Sequence, residues 1–136
     1  MVRLIMGMKG SGKTKRLIEL INNAAKDEAG HVVCIEANRN MTYDIHYHIR
    51  LIDAHEYKLN SYDLYRGFIS GLYAGNYDIS HVFIDNLCKT VGREVDKDTE
   101  AFITWLDTFG EQNDIKFTVS ISADPSALSE DMQRFM

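Results

Sequence analysis

Eight consecutive residues near the start of the chain carry its clearest chemistry: Gly7, Met8, Lys9, Gly10, Ser11, Gly12, Lys13 and Thr14. Gly7, Gly12, Lys13 and Thr14 occupy the fixed positions of the pattern G-x-x-x-x-G-K-[ST]. Glycines allow backbone conformations that a Cβ forbids, so successive N–H groups can turn inward. Together with the N-terminus of a following helix, those groups form a concave anion site. Lys13 puts a compact cation on β- and γ-phosphates, and the Thr14 hydroxyl is a hard oxygen ligand suited to Mg²⁺. Lys9, Lys13, Lys15 and Arg16 form the one local basic cluster, and it suits a bound triphosphate. In 136 residues the pattern arises by chance on the order of once in a few hundred chains.

Such a loop works only between a strand and a helix. Val2 to Met6 is a short apolar run fit for a buried parallel strand. Lys13 to Ala25 places Leu17, Leu20, Ile21 and Ala24 on one helical face, with Gly30 as the predicted stop. His31 to Glu36 reads as a second buried strand ending in a carboxylate. Ile49 to Asp53 reads as a short, more polar strand at a sheet edge. Ser61 is a predicted N-cap for a helix from Tyr62 to about Tyr73, with Leu64, Phe68, Ile69 and Leu72 inward. Ser80 to Asp85 is a third apolar strand with an acid at its end. Residues 89–97 read as a polar loop. Asp98 or Thr99 opens a helix carrying Phe102, Ile103, Leu106 and Phe109, stopped by Gly110. Ile115 to Ile121 is a further strand, and Asp124-Pro125 caps a short last helix bearing Leu128, Met132 and Phe135.

Strands alternating with helices predict one α/β domain over 1–136, a three-layer sandwich with a mostly parallel sheet and right-handed crossovers. Ligands of such sheets bind at the carboxyl ends of the strands. The loop, Glu36, Asp85 and Ser122 all fall there.

His81-Val-Phe-Ile-Asp85 is similar to a Walker B strand, whose acid holds a metal-bound water opposite the loop Thr. With both motifs in order, the chain resembles P-loop nucleoside triphosphatases of the RecA-like kind. The resemblance covers the whole chain as an element order, but only Gly7 to Thr14 and Phe83 to Asp85 as motifs. It implies ATP and Mg²⁺ as ligands, with Gly7 to Lys15 on the nucleotide and Thr14 and Asp85 on the metal. It also implies that Phe117 to Ile121 lies between the two motif strands. The first strand is then central, and Ser120 or Ser122 lies near the γ-phosphate. Many such ATPases carry Glu directly after the Walker B Asp, where this chain has Asn86. Relatives of the RecA and replicative-helicase type use a carboxylate at the end of the second strand, which makes Glu36 the candidate base beside Lys13. Arg39, Arg50 and Arg93 lie on predicted loops, and none is identified as an arginine finger. A weaker resemblance links the opening to thymidine-kinase-like proteins. Those proteins also have Glu at the position of Asn86, and cysteine pairs that this chain lacks.

Composition excludes other classes. The net charge of −5 argues against a broad nucleic-acid surface. No apolar run approaches the roughly 18 residues of a membrane span. The opening run is too short for a signal-peptide core, so a cytoplasmic protein is expected, with Cys34 and Cys88 as buried free thiols. His46, His48 and His55 lack the further ligands of a tetrahedral metal set. The tyrosines from 43 to 77 suit helix packing, base stacking by Tyr43 or Tyr47, or a partner surface. The function expected is nucleotide binding with slow or partner-stimulated hydrolysis, the partner being a protein or a second copy. The alternatives are a non-catalytic nucleotide-dependent module and a small-molecule kinase. ATP is preferred to GTP because no guanine-reading Asn-Lys-x-Asp motif is present.

Overall fold

The computed structural model describes residues 1–37, 45 and 48–136. Its order is β1 (Val2–Gly7), α1 (Lys13–Asp27), β2 (His31–Glu36), β3 (Arg50–Asp53), α2 (Tyr62–Gly75) and β4 (Ile79–Ile84). After these come α3 (Leu87–Val91), α4 (Lys97–Asn113) and β5 (Lys116–Ser122), then 3-10 helices at Pro125–Ala127 and Glu130–Phe135. The five strands are all parallel, in the order β1-β5-β4-β2-β3. β5 therefore lies between β1 and β4, as expected. Among the described residues β3 is at one edge, also as expected. β1 is not central: among the described residues it forms the opposite edge, and the last 3-10 helix packs against it.

The period of two along each strand divides the core. Val33 and Ile35, Val82 and Ile84, and Phe117, Val119 and Ile121 point to a large cluster under α2, α3 and α4. Ile5, Val32, Cys34 and Phe83 meet Leu17, Ile21 and Ala24 of α1 on the other face. β5 departs from this pattern. Its alternate residues Thr118 and Ser120 are polar yet buried, and each makes a hydrogen bond of consequence.

Several boundaries differ from expectation for local reasons. α1 ends at Asp27, before Gly30, with the Glu28 N–H bonded to the Ala24 carbonyl. α2 begins after Ser61, whose hydroxyl accepts from the Leu64 N–H, but its buried face is Tyr62, Tyr65 and Ile69, while Leu64 is 47% exposed. The tyrosines can turn inward because their hydroxyls find partners, Thr99 at 2.6 Å and Thr90 at 2.6 Å. α4 starts at Lys97, one or two residues earlier than predicted, since Asp96 and Thr99 form a capping box. Gly110 does not stop it. A Cβ there would come within 2.5 Å of the Ile115 carbonyl, so this glycine permits close approach of helix and strand. Leu128, Met132 and Phe135 are buried, as expected.

At the amino end of β4, His81 Nδ1 lies 2.7 Å from Glu28 and Nε2 lies 2.8 Å from the Thr118 hydroxyl. The carboxylate only accepts, so Nδ1 carries the proton and Nε2 accepts from Thr118. Burial holds His81 below its usual 6.5, against the pull of the Glu28 bond and charge. Burial pushes the Glu28 carboxyl up, but the bond and charge of His81 bring it below its usual 4.5. Both signs agree. As pH falls through 6.5 the unfolded chain takes up the histidine proton first, and below 4.5 it takes up the glutamate proton first. The urea midpoint is expected to decline steadily from pH 7 to pH 5, and to decline less in His81→Asn. Equal slopes in the two proteins would remove His81 from this account.

Candidate functional site

β1 ends at Gly7, and a tight turn leads to α1. The Ser11 N–H donates to the Met8 carbonyl at 3.1 Å, and Gly10 and Gly12 both take φ of 87°, in the left-handed region. A β-carbon would be strained at either position, which is why the turn needs glycine. Gly12 is the N-cap of α1, with no side-chain cap on its first amides. Those amides are left to another acceptor at the positive end of the helix dipole. Lys13 Nζ donates to the Met8 carbonyl at 3.1 Å, which holds the ammonium over the turn.

Beside the turn opens a cleft of about 860 Å³, lined by Lys9, Gly10, Gly12, Lys13, Thr14 and Lys15 on one side. Asp85, Asn86, Cys88, Lys89, Ser120 and Ser122 line the rest. The sheet dictates this meeting. Gly7 pairs with Ser122 across β1 and β5, and Ile84 pairs with Val119 across β4 and β5, which brings Asp85 beside Ser120. Ser120 Oγ donates to Asp85 Oδ1 at 3.2 Å and accepts from the Asn86 N–H at 2.7 Å. Asn86 is held at φ 50°, a conformation that an asparagine tolerates better than most residues. Burial pushes the Asp85 carboxyl above its usual value. The Ser120 bond, the Ala37 N–H and the ammoniums of Lys89 and Lys13 act against that rise.

No protein-family model matches the sequence, and no curated protein sequence matches it. A solved structure does share the fold: the flagellar accessory protein FlaH from Methanocaldococcus jannaschii. The likeness has a TM-score of 0.52 at 12% identity, over 96% of this chain and 63% of that one. The chain thus spans less than two thirds of that protein's length. At this identity the likeness concerns the fold alone: an α/β domain with a parallel sheet between helices.

The predicted residues divide into three groups. Lys9, Gly10, Gly12, Lys13, Thr14, Lys15 and Asp85 line the cleft, as do the two serines considered for the γ-phosphate. Gly7, Met8 and Ser11 shape the turn without lining it. Glu36 ends β2, one strand over from Asp85, and is 2% exposed; it is not among the described residues that line the cleft. Its charge and that of Asp85 both reach Cys34, whose thiol burial has already raised well above its usual value. Arg93 is bound to Asp96 and Asp98, and Arg50 opens β3, so neither lines the cleft. Arg39, Tyr43, His46 and Tyr47 lie outside the described residues. Among the described residues no group of three His, Cys, Asp or Glu suits a metal, and no helix is long and apolar enough to cross a membrane.

Two cleft residues escaped the sequence reading. Cys88, expected as a buried thiol, is half-buried, and Lys89 was placed at the start of a polar loop over 89–97; both belong to α3, a five-residue helix. The signal was present in Leu87, Thr90 and Val91, apolar or small residues spaced i, i+3 and i+4, all of them buried.

Two hard oxygens of the kind that could hold a divalent cation, the Thr14 hydroxyl and the Asp85 carboxylate, line the cleft, and the carboxylate is poorly solvated. The same lining holds four lysines against one acid, a balance that would suit a polyphosphate.

Proposed function

We propose that this chain binds a purine nucleoside triphosphate with Mg²⁺, ATP in preference to GTP, and hydrolyses it slowly or under stimulation by a partner. The observation that carries this reading is the meeting of Lys13, Thr14 and Asp85 in one cleft at the carboxyl ends of β1 and β4. The turn amides and Lys13 hold the phosphates, while Thr14 and Asp85 are the residues that would hold the metal. When bound, the metal neutralises charge on the β- and γ-phosphate oxygens. Ser120 orients Asp85 and fixes the Asn86 backbone, and Ser122 is the polar group at the end of β5 nearest the turn. Glu36 is the candidate base that takes the proton of the attacking water.

A second reading, a nucleotide-dependent binding module without turnover, is favoured by two features. Asn86 follows Asp85 and cannot accept a proton, and Glu36 does not line the cleft. Phosphate release from Mg–ATP, measured beside a direct binding titration, separates the two readings. Under the enzyme reading, Glu36→Gln is expected to lower turnover at least a hundredfold, about 2.7 kcal/mol in barrier, with ATP affinity within threefold of the parent. Unchanged turnover in Glu36→Gln removes Glu36 from the mechanism. Binding without turnover in the parent supports the module.

A further inference from the structure

We propose that Lys89 is the cation that reads the terminal phosphate, so that the chain supplies from its own α3 the charge that many such sites take from an arginine. The inference rests on the nucleotide reading and extends it to a residue that no motif marks.

The geometry starts in α3. Leu87, Thr90 and Val91 are buried, and that commits one face of the helix to the core. Tyr65, fully buried in α2, bonds through its hydroxyl to Thr90 at 2.6 Å, and Thr90 in turn donates to the Leu87 carbonyl at 2.8 Å. The helix is closed by the Lys89 N–H on the Asn86 carbonyl at 3.1 Å and the Gly92 N–H on the Cys88 carbonyl at 2.9 Å. A single turn pinned in this way cannot rotate about its axis, so Cys88 and Lys89 are the residues left to face the cleft, and both line it.

Position within the cleft separates Lys89 from the other lysines. Lys9, Lys13 and Lys15 all belong to the turn and the first turn of α1. Lys89 belongs to the wall formed by α3, which packs on the sheet face opposite α1; it follows Asp85 by four residues and shares the lining with Asn86 and the β5 serines. A triphosphate whose inner phosphates lie on the turn has only its terminal group left to reach that wall. Lys89 is exposed, and its long stem lets the ammonium meet charge that develops there. The described arginines that were considered for the task are elsewhere: Arg93 is bound to Asp96 and Asp98, and Arg50 begins an edge strand.

The test is calorimetric titration of the full chain with ATP and with ADP, each with Mg²⁺, for the parent, Lys89→Ala, Lys89→Arg and Lys13→Ala. Lys89→Ala is expected to lose about tenfold in ATP affinity, about 1.4 kcal/mol, with ADP affinity within twofold. Lys89→Arg should recover most of the loss, because the charge is kept. An unchanged ratio of ATP to ADP affinity in Lys89→Ala overturns the proposal and makes Lys89 a solvated surface lysine, while leaving the nucleotide site intact. A parent that binds neither nucleotide overturns the site itself, and Lys89 with it. A Lys89→Ala protein that loses ATP and ADP equally also overturns it, since the cation then serves the inner phosphates. The side chain is exposed on a helix held by other residues, so the melting temperature should stay within about 2 °C of the parent.

Discussion

Lys13→Ala is expected to lower the affinity for Mg–ATP by at least a hundredfold, about 2.7 kcal/mol, and to remove any phosphate release that the parent displays. The size follows from what Lys13 faces. Its ammonium is held over the turn by one bond to the Met8 carbonyl, within a cleft whose lining carries four lysines and one buried acid. The other three, Lys9 on the turn, Lys15 in the first turn of α1 and Lys89 on α3, are exposed. Lys13 follows the left-handed Gly12 and starts α1, so it stands where the helix dipole and the turn amides act on the same anion. Charge-assisted hydrogen bonds in such a setting are about twice as strong as neutral ones. The fold should be indifferent, because Lys13 contributes no apolar packing to either core cluster. The measurement is isothermal titration beside a thermal melt. Parent-like affinity in Lys13→Ala, with an unchanged melt, would mean that the turn binds no phosphate and that the pattern from Gly7 to Thr14 is a glycine-rich bend.

How much of this was legible before the structure depended on whether the signal was local. Gly12, Lys13 and Thr14 announce their chemistry by spacing, and the apolar runs on either side announce their elements, because a strand buried on both faces has little freedom of composition. The position of β5 between β1 and β4 followed from the family resemblance, not from any residue in β5. Its alternation of Phe117, Val119 and Ile121 with Thr118 and Ser120 does carry meaning, since the polar set meets His81 and Asp85. That set could be read as facing something polar, but not as facing those two residues. The error at α2 arose from treating Leu64 as inward and the tyrosines as undecided. A tyrosine can be fully buried if its hydroxyl is answered, and the answers for Tyr62 and Tyr65 came from Thr99 and Thr90, far away in sequence. α3 was missed because five residues give hardly more than one period. The edge position of β1 depends on what pairs with its outer side, and nothing within Val2 to Gly7 encodes that. Glu36 is the sharpest case. Its place at the end of β2 was right, but the direction of a side chain at a strand end is a matter of tertiary packing.

Asp85→Asn is expected to move stability and binding in opposite directions. Asp85 is 9% exposed, and burial holds its carboxyl above the usual value despite the Ser120 bond, the Ala37 N–H and the two nearby ammoniums. A carboxyl raised in the folded state costs stability at neutral pH, because the folded chain disfavours the charged form. The cost is relieved as pH falls through the raised value, where the folded chain binds the proton more readily than the unfolded one. Asparagine keeps an oxygen for Ser120 and the Ala37 N–H and carries no charge. The variant should therefore be more stable by about 1 kcal/mol at pH 7.5 with neither metal nor nucleotide added. That gain should shrink as the pH is lowered and the parent's own carboxyl becomes neutral. Binding should go the other way. An amide oxygen is a poorer partner than a carboxylate for a hard divalent cation, so the strengthening of ATP binding by Mg²⁺ should fall at least tenfold, about 1.4 kcal/mol. Chemical denaturation at several pH values, and ATP titrations with and without Mg²⁺, measure the two effects separately. A less stable Asp85→Asn protein with an intact Mg²⁺ effect would make Asp85 a structural hydrogen-bond acceptor for the β4–β5 pair. A more stable protein that no longer responds to Mg²⁺ is the signature of an acid kept buried, at a cost to the fold, for the sake of a metal.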